Sequence, residues 1–129
     1  MDKGLELLED RPGRGELAAK GDQVIYNTRL FLRRGEEVTL DFKSIALYRD
    51  RLDLRIIDGV ELIDHVTELG KRRSIAAVEK SLLGMREGGF REVLASAHLC
   101  YGAQGLSDVI PANAMLRIQL WLQDVSKSN

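Results

Sequence analysis

Between positions 116 and 123 the chain reads Leu-Arg-Ile-Gln-Leu-Trp-Leu-Gln, so Leu116, Ile118, Leu120 and Leu122 alternate with Arg117, Gln119, Trp121 and Gln123. Successive side chains of a strand point to opposite faces, which makes this a strand with one dry face and one wet face. Such a strand needs neighbours in a sheet and a second layer over its dry side, and this restricts the chain to a layered architecture. Positions 23–32 supply a second strand, in which Val24, Tyr26, Thr28, Leu30 and Leu32 share a face. Arg33-Arg34-Gly35-Glu36 reads as a turn. Positions 37–42 alternate again and predict a hairpin return.

Positions 52–69 fit two periods. Leu52, Leu54 and Ile56 alternate with Asp53 and Arg55, and Asp58-Gly59 suits a tight hairpin turn. Leu62, Val66 and Leu69 would also align on a helix. We read the segment as strands. The helix is predicted at 74–83: Ser74 is a candidate cap, Ile75, Val78, Leu82 and Leu83 form an apolar stripe, and Gly84 supplies the stop. Gly88-Gly89 marks a turn before a short strand at 90–95. Positions 96–114, rich in Gly, Ser, Asn and Pro, read as a long ordered loop, and long loops between strands usually carry function. The expected class is α+β, a mostly antiparallel sheet with one helix on one face.

A chain of 129 residues is expected to be a single domain, 1–129, able to bury a core without disulfide or metal staples. Nineteen Lys and Arg against 20 Asp and Glu leave a net charge of −1, so there is no global field to draw nucleic acid or an anionic membrane. Arg33-Arg34 and Lys71-Arg72-Arg73 are local clusters with acidic residues close by, the pattern of solvated surface. The start, Met1-Asp2-Lys3-Gly4-Leu5, lacks a signal-peptide pattern, and no apolar run reaches the length of a membrane span. A cytoplasmic location is the expectation, with no nucleic-acid or membrane partner. The sequence leaves the oligomeric state open.

No cofactor or metal is expected. His65 and His98 are far apart and no second cysteine accompanies Cys100, so neither a metal set nor an internal disulfide is available. A nucleophilic Cys100 would need a depressed pKa and a base. His98 is near in sequence, but the simpler reading of Cys100 is a small residue packed beside Tyr101. Gly102-Ala103-Gln104-Gly105 follows no clear strand and opens no helix, unlike a phosphate-binding loop. Asp53, Asp58 and Asp64 are spaced as turn and surface residues.

Several short segments form a series. Pro12-Gly13-Arg14-Gly15 leads into Lys20-Gly21-Asp22-Gln23-Val24. Leu69-Gly70 precedes Ile75, Val78 and Leu83-Gly84-Met85. Tyr101-Gly102-Ala103-x-Gly105 is followed by Ile110-Pro111-Ala112-Asn113-Ala114-x-Leu116 and by Leu122-x-Asp124-Val125. In this order and at these separations, the series resembles the FKBP family of peptidyl-prolyl cis-trans isomerases, or rotamases. The resemblance implies an FKBP-like bent antiparallel β-sheet wrapped over one short α-helix. Here it would carry an extended insertion at roughly 43–64.

The resemblance also implies a function: isomerisation of Xaa-Pro bonds in peptide or protein segments, or prolyl-peptide binding, in the role of a protein-folding helper or chaperone. It assigns Tyr101 the ligand-contacting hydroxyl and Ile75 the backbone N–H that meets the bound peptide. Val109 and Ile110 become the aliphatic pair ahead of the proline. Other positions depart from the family pattern. Val78 stands where the helix usually carries the aromatic floor, and Thr28 stands where a strand tyrosine lines the pocket. Val38-Thr39 replaces a Phe-Asp pair, Ile118 replaces the last-strand aromatic, and Leu106 replaces a flap residue. His65 aligns near a further aromatic wall. For Ile118 plain core packing is the simpler role. The alternative function implied by these departures is a non-catalytic FKBP-fold interaction module.

Overall fold

The computed structural model describes residues 3–38 and 53–128. In chain order they form β1 (Leu5–Arg11), β2 (Gln23–Leu32), β3 (Glu37–Val38), β4 (Leu54–Ile57), β5 (Val60–Ile63), β6 (His65–Glu68), α1 (Ala76–Leu82), β7 (Phe90–Ala95), a 3₁₀ turn (Ala97–Leu99) and β8 (Leu116–Ser126). The main sheet is six-stranded, in the order β1-β7-β8-β2-β3, with β6 also paired to β2. Its pairings are antiparallel.

The strand that opened the sequence reading runs through the middle of this sheet. Leu116, Ile118, Leu120 and Leu122 have no accessible surface. Burying each stabilises the fold by about 1.5–3 kcal/mol relative to leaving it exposed. The strand continues past 123 because of a bulge. Ile25 faces Asp124 and Tyr26 faces Leu122, so Gln123 is the extra residue. The added residue shifts the alternation by one position and returns Val125 to the dry face, where it is 6% exposed. On β2 the predicted face holds: Val24, Tyr26, Thr28, Leu30 and Leu32 oppose Val125, Leu122, Leu120, Ile118 and Leu116. Helix α1 lies over this face and buries Ala77, Val78, Ser81 and Leu82.

Positions 52–69 are strands where described. β4 and β5 close as a hairpin on Asp58 and Gly59, whose φ values of 51° and 80° are those of a type I′ turn. Of the predicted 37–42 strand, Glu37 and Val38 pair with Phe31 and Leu30. Thr39 and positions 40–42, with 43–52 of the expected insertion, lie outside the described residues. β1 has no counterpart in the sequence reading. It is an edge strand with a bulge between Leu7 and Glu9, and Leu7 and Leu8 are both exposed. A strand with one partner and little burial carries no need for alternation.

The helix start differs from expectation. The N-cap is Ile75, with φ −60° and ψ 150°, and no side chain caps it. The Ser74 hydroxyl is instead 3.1 Å from the Tyr26 hydroxyl. Tertiary bonding has taken the group that local propensity would have spent on the cap.

Two carboxylates, Asp22 buried and Glu87 half-buried, tie the ends of the sheet together. Asp22, 1% exposed, pairs with Lys127 and accepts from the backbone N–H groups of Ala19 and Ser128, each at 2.9 Å. Glu87 accepts from the Val125 N–H at 2.7 Å and the Glu16 N–H at 3.1 Å. Lys127 chiefly, with the Ser128 and Ala19 amides, holds Asp22 below the usual carboxylate range. The Val125 and Glu16 amides do the same for Glu87.

On the outer face, Trp121 packs against Phe90 with ring centroids 5.0 Å apart. Further along, Asn27 is fully buried in a polar network. Its amide donates to the Ile63 carbonyl at 2.8 Å and to Asp64 Oδ1 at 2.6 Å, and its oxygen accepts from Gln123 at 2.9 Å. Arg55 forks onto both oxygens of Asp64 at 3.0 and 3.1 Å and reaches Gln123 Oε1 at 3.2 Å. The bulge residue Gln123 and β2 thus hold the β4–β5 hairpin, and the chain leaves Asp64 directly into His65 of β6.

Candidate functional site

The dry face of β2, the start of α1 and the loop after the 3₁₀ turn come together around one apolar cluster, Tyr26, Val78 and Ile110 with Ile75, Tyr101, Leu106 and Val109 packed against it, and this is the candidate cleft. The loop is braced through its backbone. Leu106 and Ile110 exchange N–H···O bonds at 2.8 Å, Val109 N–H reaches Leu106 O at 3.0 Å, and Asn113 N–H reaches Gly102 O at 2.8 Å. Gly105, with φ +64°, is required here: a Cβ would stand 2.4 Å from the Ile110 carbonyl oxygen and 2.8 Å from the Pro111 carbonyl carbon. Tyr101 begins the loop, half-buried against the core. Its hydroxyl has no hydrogen-bond partner among the described residues. Burial, with Cys100 beside it, pushes that hydroxyl's pKa up and keeps it a neutral donor.

On the sheet side the leading residue is Tyr26. It is 6% exposed and shares the core cluster with Val78, Ile110 and Leu122. Its ring stacks on His65 with centroids 5.3 Å apart and planes at 27°. The two residues are register partners on β2 and β6. Burial raises the Tyr26 hydroxyl's pKa against the opposing effect of Ser74. Burial also lowers the pKa of His65, disfavouring the charged imidazolium, while Asp64 works the other way.

The other expected residues take these places. Ile75 is half-buried at the N-cap, and Val78, one turn on, is 4% exposed. Val109 and Leu106 are half-buried and Ile110 is 4% exposed, all packed against the core. Thr28 is half-buried, and its hydroxyl donates to the Gln119 carbonyl across the sheet at 2.9 Å. Val38 is half-buried opposite Leu30. Ile118 has no accessible surface and lies in the core between Leu30 and Val93. Burial raises the Cys100 thiol to about 11, opposite to the depression a nucleophilic cysteine needs. Among the described residues no cluster of His, Cys, Asp and Glu could hold a metal ion, and no helix is long and apolar enough to cross a membrane.

Residues 15–122 match the sequence model of the FKBP-type peptidyl-prolyl cis-trans isomerases. The chain belongs to that family. Relatives include peptidyl-prolyl cis-trans isomerase FKBP11 of Bos taurus, 39% identical over 64 residues that make up 50% of this chain and 32% of that protein. FK506-binding protein 1A of Neurospora crassa is 31% identical over 84 residues, 65% of this chain and 68% of that one. The chloroplastic isomerase FKBP16-4 of Arabidopsis thaliana is 24% identical over 128 residues, 99% of this chain and 51% of its own length. The chain therefore corresponds to about a third of the length of the bovine FKBP. Among the described residues, one short helix lies over an antiparallel sheet, the FKBP-like α+β fold that the sequence implied.

Tyr26 is the residue of this cluster that sequence reasoning did not single out. It appeared only as one of the dry-face residues of a strand. The available signal was its type: it is a tyrosine on a face otherwise made of Val, Thr and Leu. A buried hydroxyl on that face needs a partner, and the helix start opposite offers Ser74.

Proposed function

We propose that the protein is a peptidyl-prolyl cis-trans isomerase, of full or reduced strength, acting on Xaa-Pro segments of other chains. The observation that carries this reading is the convergence of the loop's Tyr101, Val109 and Ile110 with Ile75 and Val78 of the helix start and the Tyr26–His65 stack. The reaction needs no acid, base or metal. Amide resonance sets a rotation barrier of about 18–20 kcal/mol. The planar amide is more dipolar than the twisted one, so a dry apolar cleft disfavours the planar form relative to the transition state. In this reading Val78, Leu106, Val109 and Ile110 form apolar walls. The Tyr101 hydroxyl and the Ile75 N–H hold the peptide while the bond turns. Tyr26 gives the floor the aromatic that Val78 does not, Thr28 and Val38 border the far wall, and Ile118 supports the cleft from below. We extend the proposal to a folding helper in a reducing, cytoplasmic setting.

The Thr28 hydroxyl favours a second reading, a prolyl-peptide-binding module without catalysis, because the sheet backbone consumes it. Exchange NMR on a panel of Xaa-Pro peptides separates the two. Faster cis–trans exchange at catalytic protein, lost in Tyr101→Ala, supports the isomerase. Peptide-induced shifts at Tyr101 and Ile110 without faster exchange support the binding module. The absence of both ends both readings.

A further inference from the structure

Next to the cleft, the β2–β3 turn and the segment after Ile110 enclose a groove of about 530 Å³. Its apolar lining comes from Leu32, Pro111, Ala114 and Met115, and Met115 is 37% exposed. Arg33 and Arg34, both exposed, stand on its border. The charges nearby are not equivalent. Glu37 is engaged by Arg29, and Glu92 by Arg117 at 2.6 Å. Arg33 and Arg34 have no acidic partner among the described residues. Glu36 also borders the groove, and its backbone oxygen accepts from the Leu32 N–H at 2.8 Å. Among the described residues the balance at the groove is therefore two guanidinium groups against one carboxylate, in a chain whose overall charge is −1. Pro111 follows Ile110 directly, so the groove and the loop wall of the candidate cleft share one chain segment.

We infer that the groove is a specificity subsite for the segment flanking the proline, and that it selects a flank carrying acidic residues beside an apolar anchor. The inference rests on the reading of the cleft as a prolyl-peptide site. The apolar lining receives the anchor. Arg33 and Arg34 pair with the flanking carboxylates, an arrangement in which complementary charge sets partner choice more than raw affinity. The paired neighbours Arg29 and Arg117 contribute less, since their charges are already compensated.

The test uses Xaa-Pro peptides with a Leu-Asp-Glu flank or a Leu-Lys-Lys flank, on either side of the proline. Two readouts are taken: exchange NMR for isomerisation, and backbone amide shifts of Arg33 and Arg34 for binding. The expected result is a threefold to roughly tenfold preference for one acidic-flanked peptide at low salt, shrinking as salt screens the pairs. Arg33→Glu/Arg34→Glu should reverse the preference and Arg33→Gln/Arg34→Gln should abolish it. The Gln variant keeps the inference testable if the Glu variant folds poorly. Equal rates on all flanks, unchanged in both variants, overturn the inference and leave the isomerase reading standing. Acidic-flank shifts at Arg33 and Arg34 with no exchange on any peptide support the subsite and overturn the isomerase. No response at Arg33 and Arg34 to any peptide overturns the subsite.

Discussion

On the loop side of the cleft, Tyr101, Leu106, Val109 and Ile110 are placed by main-chain bonds: the paired bridge between Leu106 and Ile110, the strut from Asn113 to Gly102, and a glycine whose Cβ would collide with the chain opposite. On the sheet side, Tyr26 and His65 are cross-strand partners on β2 and β6, and what faces the core there is set by side chains: the ring stack between them and a 3.1 Å hydroxyl contact from Tyr26 to Ser74 ahead of α1. A backbone-held wall needs a fixed spacing of small residues along the chain. A side-chain-held wall needs only that some aromatic fill the volume, and it can draw that aromatic from a different strand or helix. This accounts for a loop that keeps the family pattern beside a floor that departs from it.

The largest expected effect breaks the sheet side. Tyr26→Ala removes a buried aromatic and should lower stability by about 3–5 kcal/mol, read by urea denaturation. Gly105→Ala breaks the loop side. A strained left-handed residue colliding with Ile110 should cost about 2–3 kcal/mol, with amide shifts concentrated around Tyr101 and Ile110. Val78→Trp probes whether the space beneath α1 is already filled. It should cost about 1–3 kcal/mol alone and much less in the Tyr26→Ala background, a coupling measured by the double-mutant cycle. If the tryptophan is tolerated in the presence of Tyr26, the floor is not filled from β2 and the comparison fails. Tyr26→Phe keeps the ring and loses only the hydroxyl bond to Ser74, worth about 1 kcal/mol.

The smallest effect is a pH dependence. Burial puts the folded pKa of His65 below its ordinary 6.5, so the unfolded chain binds a proton first. Its contribution is complete above 6.5 and is lost as the pH falls toward the folded value. Urea midpoints on either side of 6.5 should show this decline, and His65→Phe should remove it. Asp22 and Glu87 act in a separate window. Their folded pKa values lie below the ordinary 3.8 and 4.5, so their ties weaken only under more acid conditions.

Much of the fold was legible because its signals are periodic. Strands β2 and β8 follow from alternation, and the β4–β5 turn follows from Asp58-Gly59. The bulge at Gln123 leaves only a change of phase between Leu122 and Val125, which is easily mistaken for the end of a strand. β1 is barely buried and so carries no pattern at all. For the site, the loop residues were legible through linked motifs of fixed spacing. The Tyr26–His65–Ser74 group was not, because three residues on separate elements meet only after the sheet has formed. Ser74 in particular looks like a cap until its partner is known.

The central position of β8 has a consequence for assembly. Its pairing with β2 joins Gln23 to Ser126 and Leu32 to Leu116, contacts that span most of the chain and carry a large loop-closure entropy. The β4–β5 hairpin can form as soon as residues 54–63 are free. The core cannot, because the strand that covers β2 and joins it to β7 is made after both of them. Until then β2 presents Val24, Tyr26 and Leu30 on an unpaired edge. During synthesis this chain must therefore pass through an interval, ending only when β8 is released, in which this strand is open to other chains.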